Sequence, residues 1–175
     1  MRKIIAYLAV SADGFIARPN GGVEWLDRPG AAGDYGIRRF YRSIDTVLMG
    51  RKTWEVGRRL GQAAYPGKTN YVFTRRARRD QPPITFVHRP LRAFLRKLRT
   101  EPGRDVWLVG GAELFGAVLD AQQLDALILH VMPILIGKGI PLFAPRHRDV
   151  PLHLLEHRAF RDGVVRLHYG VGRAR

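Results

Sequence analysis

Val47-Leu48-Met49-Gly50-Arg51-Lys52-Thr53-Trp54-Glu55 is the stretch on which the reading of this chain turns. A short apolar run ends in a glycine. A basic, hydroxyl-bearing segment of helix-forming residues follows. That order describes a buried strand, a turn and a helix start. Backbone N–H groups at a helix start, with Arg and Lys beside them, suit a phosphate. The segment is therefore expected to hold the phosphates of a nucleotide cofactor.

The same logic recurs downstream. Val106 to Val109 reads as a buried strand, Gly110-Gly111 as a turn, and Ala112 to Leu119 as a helix. Glycines there let the backbone come close to a pyrophosphate, although glycine turns are common in general. A third strand, Thr69 to Thr74, runs into Arg75-Arg76-Ala77-Arg78-Arg79. Four arginines in five residues can clamp the 2′-phosphate of NADP, bind nucleic acid, or form a solvated loop. Two phosphate turns and an arginine cluster fit a dinucleotide better than a mononucleotide. Neither the G-x-G-x-x-G fingerprint after a strand nor a Walker A lysine motif is present.

The remaining chain fills in an α/β pattern. Ile4 to Ser11 is nearly continuous apolar, as expected of a strand covered on both faces. Asp13-Gly14 reads as a turn, and Phe15-Ile16-Ala17 follows it. Arg18 to Leu26 reads as a glycine-containing loop, either a mobile flap over a pocket or a plain surface loop, with Arg28-Pro29-Gly30 at its end. Asp34 to Ser43 has a helical apolar stripe through Tyr35, Ile37, Phe40 and Tyr41, with Asp34 placed as an N-cap or as an acid in a ligand pocket. Ile84 to Val87 is a short strand, Leu91 to Leu98 an amphipathic helix, and Leu124 to Met132 a further strand. Pro133 to Phe143 is a long Gly- and Pro-rich connection. Leu152 to Phe160 and Val164 to Val171 form a closing antiparallel hairpin. Strands alternating with helices, then a hairpin, predict one α/β domain over residues 1–175 with a mostly parallel central sheet and flanking helices.

Composition narrows the function classes. The net charge of +15 favours anionic partners, or reflects a bias toward arginine and solubility. The chain has no cysteine, hence no disulfide, thiolate metal site or thiol nucleophile. Histidines 88, 130, 147, 153, 157 and 168 show no ligand spacing, so structural or surface roles are expected and no metal is called for. No apolar run reaches the roughly 18 residues of a membrane span, and a cytoplasmic location is expected.

Four motifs in order give a resemblance across nearly the whole chain: Ser11-Ala12-Asp13-Gly14-Phe15-Ile16-Ala17, Met49-Gly50-Arg51-Lys52-Thr53-Trp54, Val109-Gly110-Gly111, and Pro133 through Gly137-Lys138-Gly139 to Leu142-Phe143. The chain resembles the dihydrofolate reductase superfamily, specifically the branch of the C-terminal reductase domain of the bifunctional riboflavin-synthesis enzyme. That resemblance implies NADPH and a hydride transfer to a C=N or C=O carbon of a pteridine- or aminopyrimidine-type substrate, such as 5-amino-6-(5-phosphoribosylamino)uracil or dihydrofolate. It implies that Ala9 and Ile16 flank the nicotinamide. Gly50, Arg51, Lys52 and Thr53 would meet the pyrophosphate and adenosine phosphate. Thr74, Arg75 and Arg76 would meet the adenosine and its 2′-phosphate. Gly110, Gly111 and the helix start from Ala112 to Leu114 would bind the pyrophosphate.

Counting back from Gly50 without a gap puts Asp34 at the position of the carboxylate that binds the pterin and assists protonation in folate reductases. Tyr35 is a further pocket candidate. The aromatic that follows the Gly-Gly motif near the nicotinamide in folate reductases corresponds here to Phe115, which carries no hydroxyl, a departure from that pattern. The resemblance also implies a homodimer. The alternative reading is a catalytically silent nucleotide-sensing or nucleic-acid-binding protein on the same fold. Its charge favours that reading, and the lack of a basic-aromatic recognition motif argues against it.

Overall fold

Continuous apolar runs become central strands because both of their faces are covered. The computed structural model describes residues 1–27, 33–144 and 149–172; the Arg28-Pro29-Gly30 loop end and His147 lie outside them. The strands are β1 (Ile4–Ser11), β2 (Phe15–Ala17), β3 (Ile44–Gly50), β4 (Thr69–Phe73), β5 (Ile84–Val87), β6 (Asp105–Gly110), β7 (Ala126–Met132), β8 (Ile140–Pro141), β9 (Leu152–Ala159) and β10 (Val165–Val171). The helices are α1 (Ile37–Ser43), α2 (Arg51–Arg59), α3 (Leu91–Thr100) and α4 (Ala112–Asp120). Eight strands make one sheet in the order β5-β4-β3-β6-β1-β7-β10-β9. β5 through β7 run parallel, and β10 and β9 close the sheet antiparallel. No helix among the described residues is long and apolar enough to cross a membrane.

Side chains alternate between two cores, as the period of two requires. Ala6, Leu48, Val106 and Leu108 face a core with Leu95 and Leu98 of α3 and Leu114 and Val118 of α4. Tyr7, Val47, Met49 and Trp107 face the other, with Phe40 of α1 and Trp54 of α2. Helices α3 and α4 therefore cover one face, and α1 and α2 the other.

The amino ends of the strands are locked by two buried or half-buried ion pairs. Arg2, 7% exposed, bonds Asp45, the Thr46 hydroxyl (2.6 Å) and the Arg104 carbonyl (2.6 Å). Arg99 pairs with Asp125 at 2.7 Å, and the same carboxylate accepts the Ile4 N–H. These contacts join strands distant in sequence.

Three expectations change. The helix expected from Asp34 begins at Ile37, because Tyr35 and Gly36 take left-handed backbone (φ +50° and +93°) and cannot lie in its first turn. The Arg18 to Leu26 loop, read as a mobile flap or a plain surface loop, buries one residue: Trp25, 5% exposed, packs with Met132 and Val164, while Arg18 pairs with Glu24 within the loop. The Pro133 to Phe143 connection contains β8, which pairs with β2. Asp13 explains that pairing, since its carboxylate accepts the N–H groups of Ile136 and Gly137, and the Ser11 hydroxyl bonds it at 2.6 Å. Gly139 is required there, because a Cβ would lie 2.3 Å from the Ala17 carbonyl oxygen.

Candidate functional site

Adjacent strands β3 and β6 end side by side and send their helices to opposite faces. β3 leads into α2 on one face, and β6 leads into α4 on the other. A crevice opens outside the carboxyl ends of a parallel sheet where successive helices diverge in this way. Both helix starts are open to a ligand: Gly50 and Gly111 occupy the N-cap positions, and neither helix has a side-chain cap. The leading N–H groups of each helix are thus left for an anion.

The glycines keep this place narrow and bare. A Cβ on Gly50 would stand 3.7 Å from the Gly111 nitrogen and 3.9 Å from Leu114. A Cβ on Gly111 would stand 3.1 Å from the Thr53 hydroxyl oxygen. Gly110 has φ +124°, a conformation that side-chain-bearing residues rarely adopt. Gly50, Thr53, Gly110, Gly111 and Leu114 therefore meet at one point, with Ala112 opening α4 beside them. The set fits the pyrophosphate of a dinucleotide: N–H donors at two helix starts, a hydroxyl, and no side chain in the way.

The other expected residues surround that point at differing range. Ala9 lies on β1, which pairs with both β6 and β7, and sits opposite His130. The register Ala6↔Leu108 sets Ala9 near the level of the glycine pair. Ile16 lies half-buried on β2. Arg51 and Lys52 are exposed on the first turn of α2, and Arg51 bonds Glu55 at 2.6 Å. The Thr74 hydroxyl donates to the Arg76 carbonyl at 2.6 Å, shaping the turn after β4. Arg76 is exposed, and Arg75 reaches across to Glu113 on α4 at 2.8 Å. Phe115 is 2% exposed and belongs to the α3–α4 core.

Asp34 is exposed, and its carboxylate accepts the N–H groups of Gly36 (3.0 Å) and Arg38 (3.2 Å). The Gly36 and Arg38 hydrogen bonds hold its pKa below the ordinary carboxylate value, so it stays ionised. The N-cap of α1 is Gly36, so Asp34 bonds the first-turn N–H of Arg38 from outside the helix rather than as its N-cap. An ionised carboxylate accepts hydrogen bonds and does not donate a proton.

Beneath Asp34 lies a polar cluster that the sequence reading passed over. Tyr7 and His130 converge on the Tyr35 carbonyl at 3.3 and 3.2 Å and lie 3.3 Å from each other. Burial pushes the Tyr7 phenol up to about 12 and lowers the His130 imidazole, so both are neutral. The Tyr35 hydroxyl bonds Asp162 in the β9–β10 turn, and its ring packs edge-on to Phe160 at 5.0 Å. The segment carrying Asp34 is thereby pinned to β1, β7 and the hairpin. Among the described residues no group of His, Asp or Glu is placed to hold a metal.

The family model of the RibD C-terminal domain matches residues 2–166. The uncharacterized protein YwjB of Bacillus subtilis is 39% identical over 170 residues, covering 96% of this chain and 97% of that one. The crystal structure of a candidate riboflavin biosynthesis protein from Shewanella sp. PV-4 has the same fold, with a TM-score of 0.87 at 21% identity, covering 98% of this chain and 99% of that one. Dihydrofolate reductase from Enterococcus faecalis, complexed with NADP(H), superposes with a TM-score of 0.65 at 17% identity over 98% of this chain and 96% of that one. The chain belongs to the RibD C-terminal domain family and carries the reductase fold that it shares with dihydrofolate reductase.

Proposed function

We propose that this protein is an NADPH-dependent reductase of a pteridine- or aminopyrimidine-type small molecule. The observation that carries the reading is the pair of uncapped helix starts, at Gly50 and Gly111, meeting where β3 and β6 diverge. Gly111, Ala112 and the α4 N–H groups hold the pyrophosphate. Thr53 adds a hydroxyl, Arg51 and Lys52 add charge, and Thr74, Arg75 and Arg76 take the adenosine end. Ala9 and Ile16 line the nicotinamide position, where bound NADPH supplies a hydride to a substrate C=N or C=O carbon. The cofactor bound to the Enterococcus enzyme supports this choice.

Asp34 serves the substrate as an ionised acceptor for ring or exocyclic N–H groups, held in place by its own bonds to Gly36 and Arg38. The protein works as a homodimer. The edge strand β9 supports that, with all eight residues exposed and Leu154 and Leu155 at 54% and 63%; long apolar edges are normally covered.

Fluorescence titration tests the cofactor assignment: NADPH binds more tightly than NADH, and loss of absorbance by NADPH follows addition of dihydrofolate or of the phosphoribosylaminouracil. Failure of NADPH to bind, with salt-sensitive binding of DNA instead, would favour the silent nucleic-acid-binding reading. Asp34→Asn removes the carboxylate's charge while its one carbonyl oxygen still accepts either the Gly36 or the Arg38 N–H. The variant's thermal midpoint falls by about 4 °C at most, its NADPH affinity is kept, and kcat/KM drops about 10-fold or more, the effect of one charged hydrogen bond. Unchanged turnover would remove Asp34 from the site.

A further inference from the structure

Glu113 stands between the two places that the proposed function gives to phosphates. It lies in the first turn of α4, beside the candidate pyrophosphate site at Gly111. Its Oε2 is 2.8 Å from Nη2 of Arg75, the first arginine after β4 and a candidate for the 2′-phosphate. Both side chains are largely exposed, at 89% for Arg75 and 66% for Glu113, so solvent screens the pair and an incoming anion can displace it. The ion pair nevertheless spans from the β4 end to the α4 start, across the outer end of the crevice. A carboxylate at a helix start is favourable by itself. Here it also occupies the guanidinium that a phosphate would use.

Resting on the NADPH reading, we infer that Glu113 is an internal competitor for the 2′-phosphate, a residue that limits how strongly this protein prefers NADPH over NADH. Binding a 2′-phosphate to Arg75 replaces a carboxylate partner with a phosphate partner and leaves Glu113 facing a doubly charged group. NADH has no phosphate at that position and leaves the Arg75–Glu113 pair intact. Any repulsion of the pyrophosphate by this carboxylate is common to both cofactors, whereas its opposition to the 2′-phosphate at Arg75 falls on NADPH alone. Arg76, exposed on the same turn, carries the part of the phosphate attraction that Glu113 does not offset.

Glu113→Gln tests this without a substrate. The side chain is exposed and its loss breaks only a surface ion pair, so the variant folds. The probes are NADPH, NADH and 2′,5′-ADP, titrated by fluorescence or calorimetry at low salt. The variant binds NADPH and 2′,5′-ADP about 3- to 10-fold more tightly, and its NADH affinity stays within about twofold, in line with the size of surface charge effects. In an Arg75→Ala background the Glu113→Gln gain shrinks, because the contested group is gone. Equal shifts for NADPH and NADH, or weaker NADPH binding by Glu113→Gln, would overturn the competition while leaving the reductase reading intact. Failure of the unaltered protein to bind NADPH and 2′,5′-ADP would overturn the proposed function, and this inference with it.

Discussion

Asp45→Ala lowers the thermal midpoint by about 6–12 °C. The aspartate is the charge partner of Arg2, whose side chain is 6% exposed. One carboxylate oxygen meets Arg2 and the Thr46 hydroxyl, and the other accepts the Arg104 N–H at 2.7 Å. Removing one member of a buried pair leaves the other charged and unpaired, at a cost of 3–5 kcal/mol where burial is complete. Asp45 is 30% exposed, and water can enter the space it leaves. The lower end, about 3 kcal/mol, is therefore expected. In a chain of this length each kcal/mol moves the midpoint by about 2–4 °C. Arg2→Leu costs less, because it removes the charge that must be buried and leaves a carboxylate that water reaches. Calorimetric melts of the two variants check the asymmetry. A larger loss for Arg2→Leu would show that the hydrogen bonds of Arg2 to Thr46 and Arg104 dominate the pair.

Arg2 also marks where sequence reading runs out. Nothing near it in the chain says that a basic residue at position two will be buried. Its partners lie 43 and 102 positions away, and only the sheet order brings them together. The strands themselves were legible, because a strand covered on both faces reads as a continuous apolar run. Ile4 to Ser11 was bounded to the residue. The order was not legible, since β6 enters between β3 and β1 and no local pattern records a neighbour from elsewhere in the chain. β8 is not legible because Ile140–Pro141, only two residues between Gly139 and Leu142, carry no periodicity. α1 starts three residues after Asp34 because the left-handed Tyr35-Gly36 turn intervenes, with Asp34 reaching the Arg38 N–H from outside the helix.

The candidate site was legible where chemistry is local and hidden where it is not. Gly50 and Gly110-Gly111 announce themselves, since a glycine after an apolar run predicts a turn and the next residues predict a helix. Their meeting across β3 and β6 depends on the sheet order. Glu113 was readable as an acid in a helix's first turn, yet its contact with Arg75 spans 38 positions. His130 looked like one of six scattered histidines. Its burial against Tyr7 and the Tyr35 carbonyl comes from β7 lying beside β1.

Gly111→Val lowers NADPH affinity by at least about 100-fold and leaves the fold in place. The new Cβ lies 3.1 Å from the Thr53 hydroxyl oxygen, tight enough to push that side chain by a few tenths of an ångström. The two methyl groups extend beyond it, in the bare space between the α2 and α4 starts. Gly111 has φ −81°, a value that valine also adopts. A phosphate displaced from this cradle loses charge-assisted hydrogen bonds worth about 1.5–3 kcal/mol each. Two such losses exceed the roughly 2.7 kcal/mol that corresponds to 100-fold. The measurement is a fluorescence titration beside a thermal melt. Thr53→Ala in the Gly111→Val background relieves the Cβ contact but not the blocked cradle, so affinity stays low. Wild-type affinity in Gly111→Val would place the pyrophosphate elsewhere. The helix starts at Gly50 and Gly111 would then have to be read as ordinary turns that happen to lack caps.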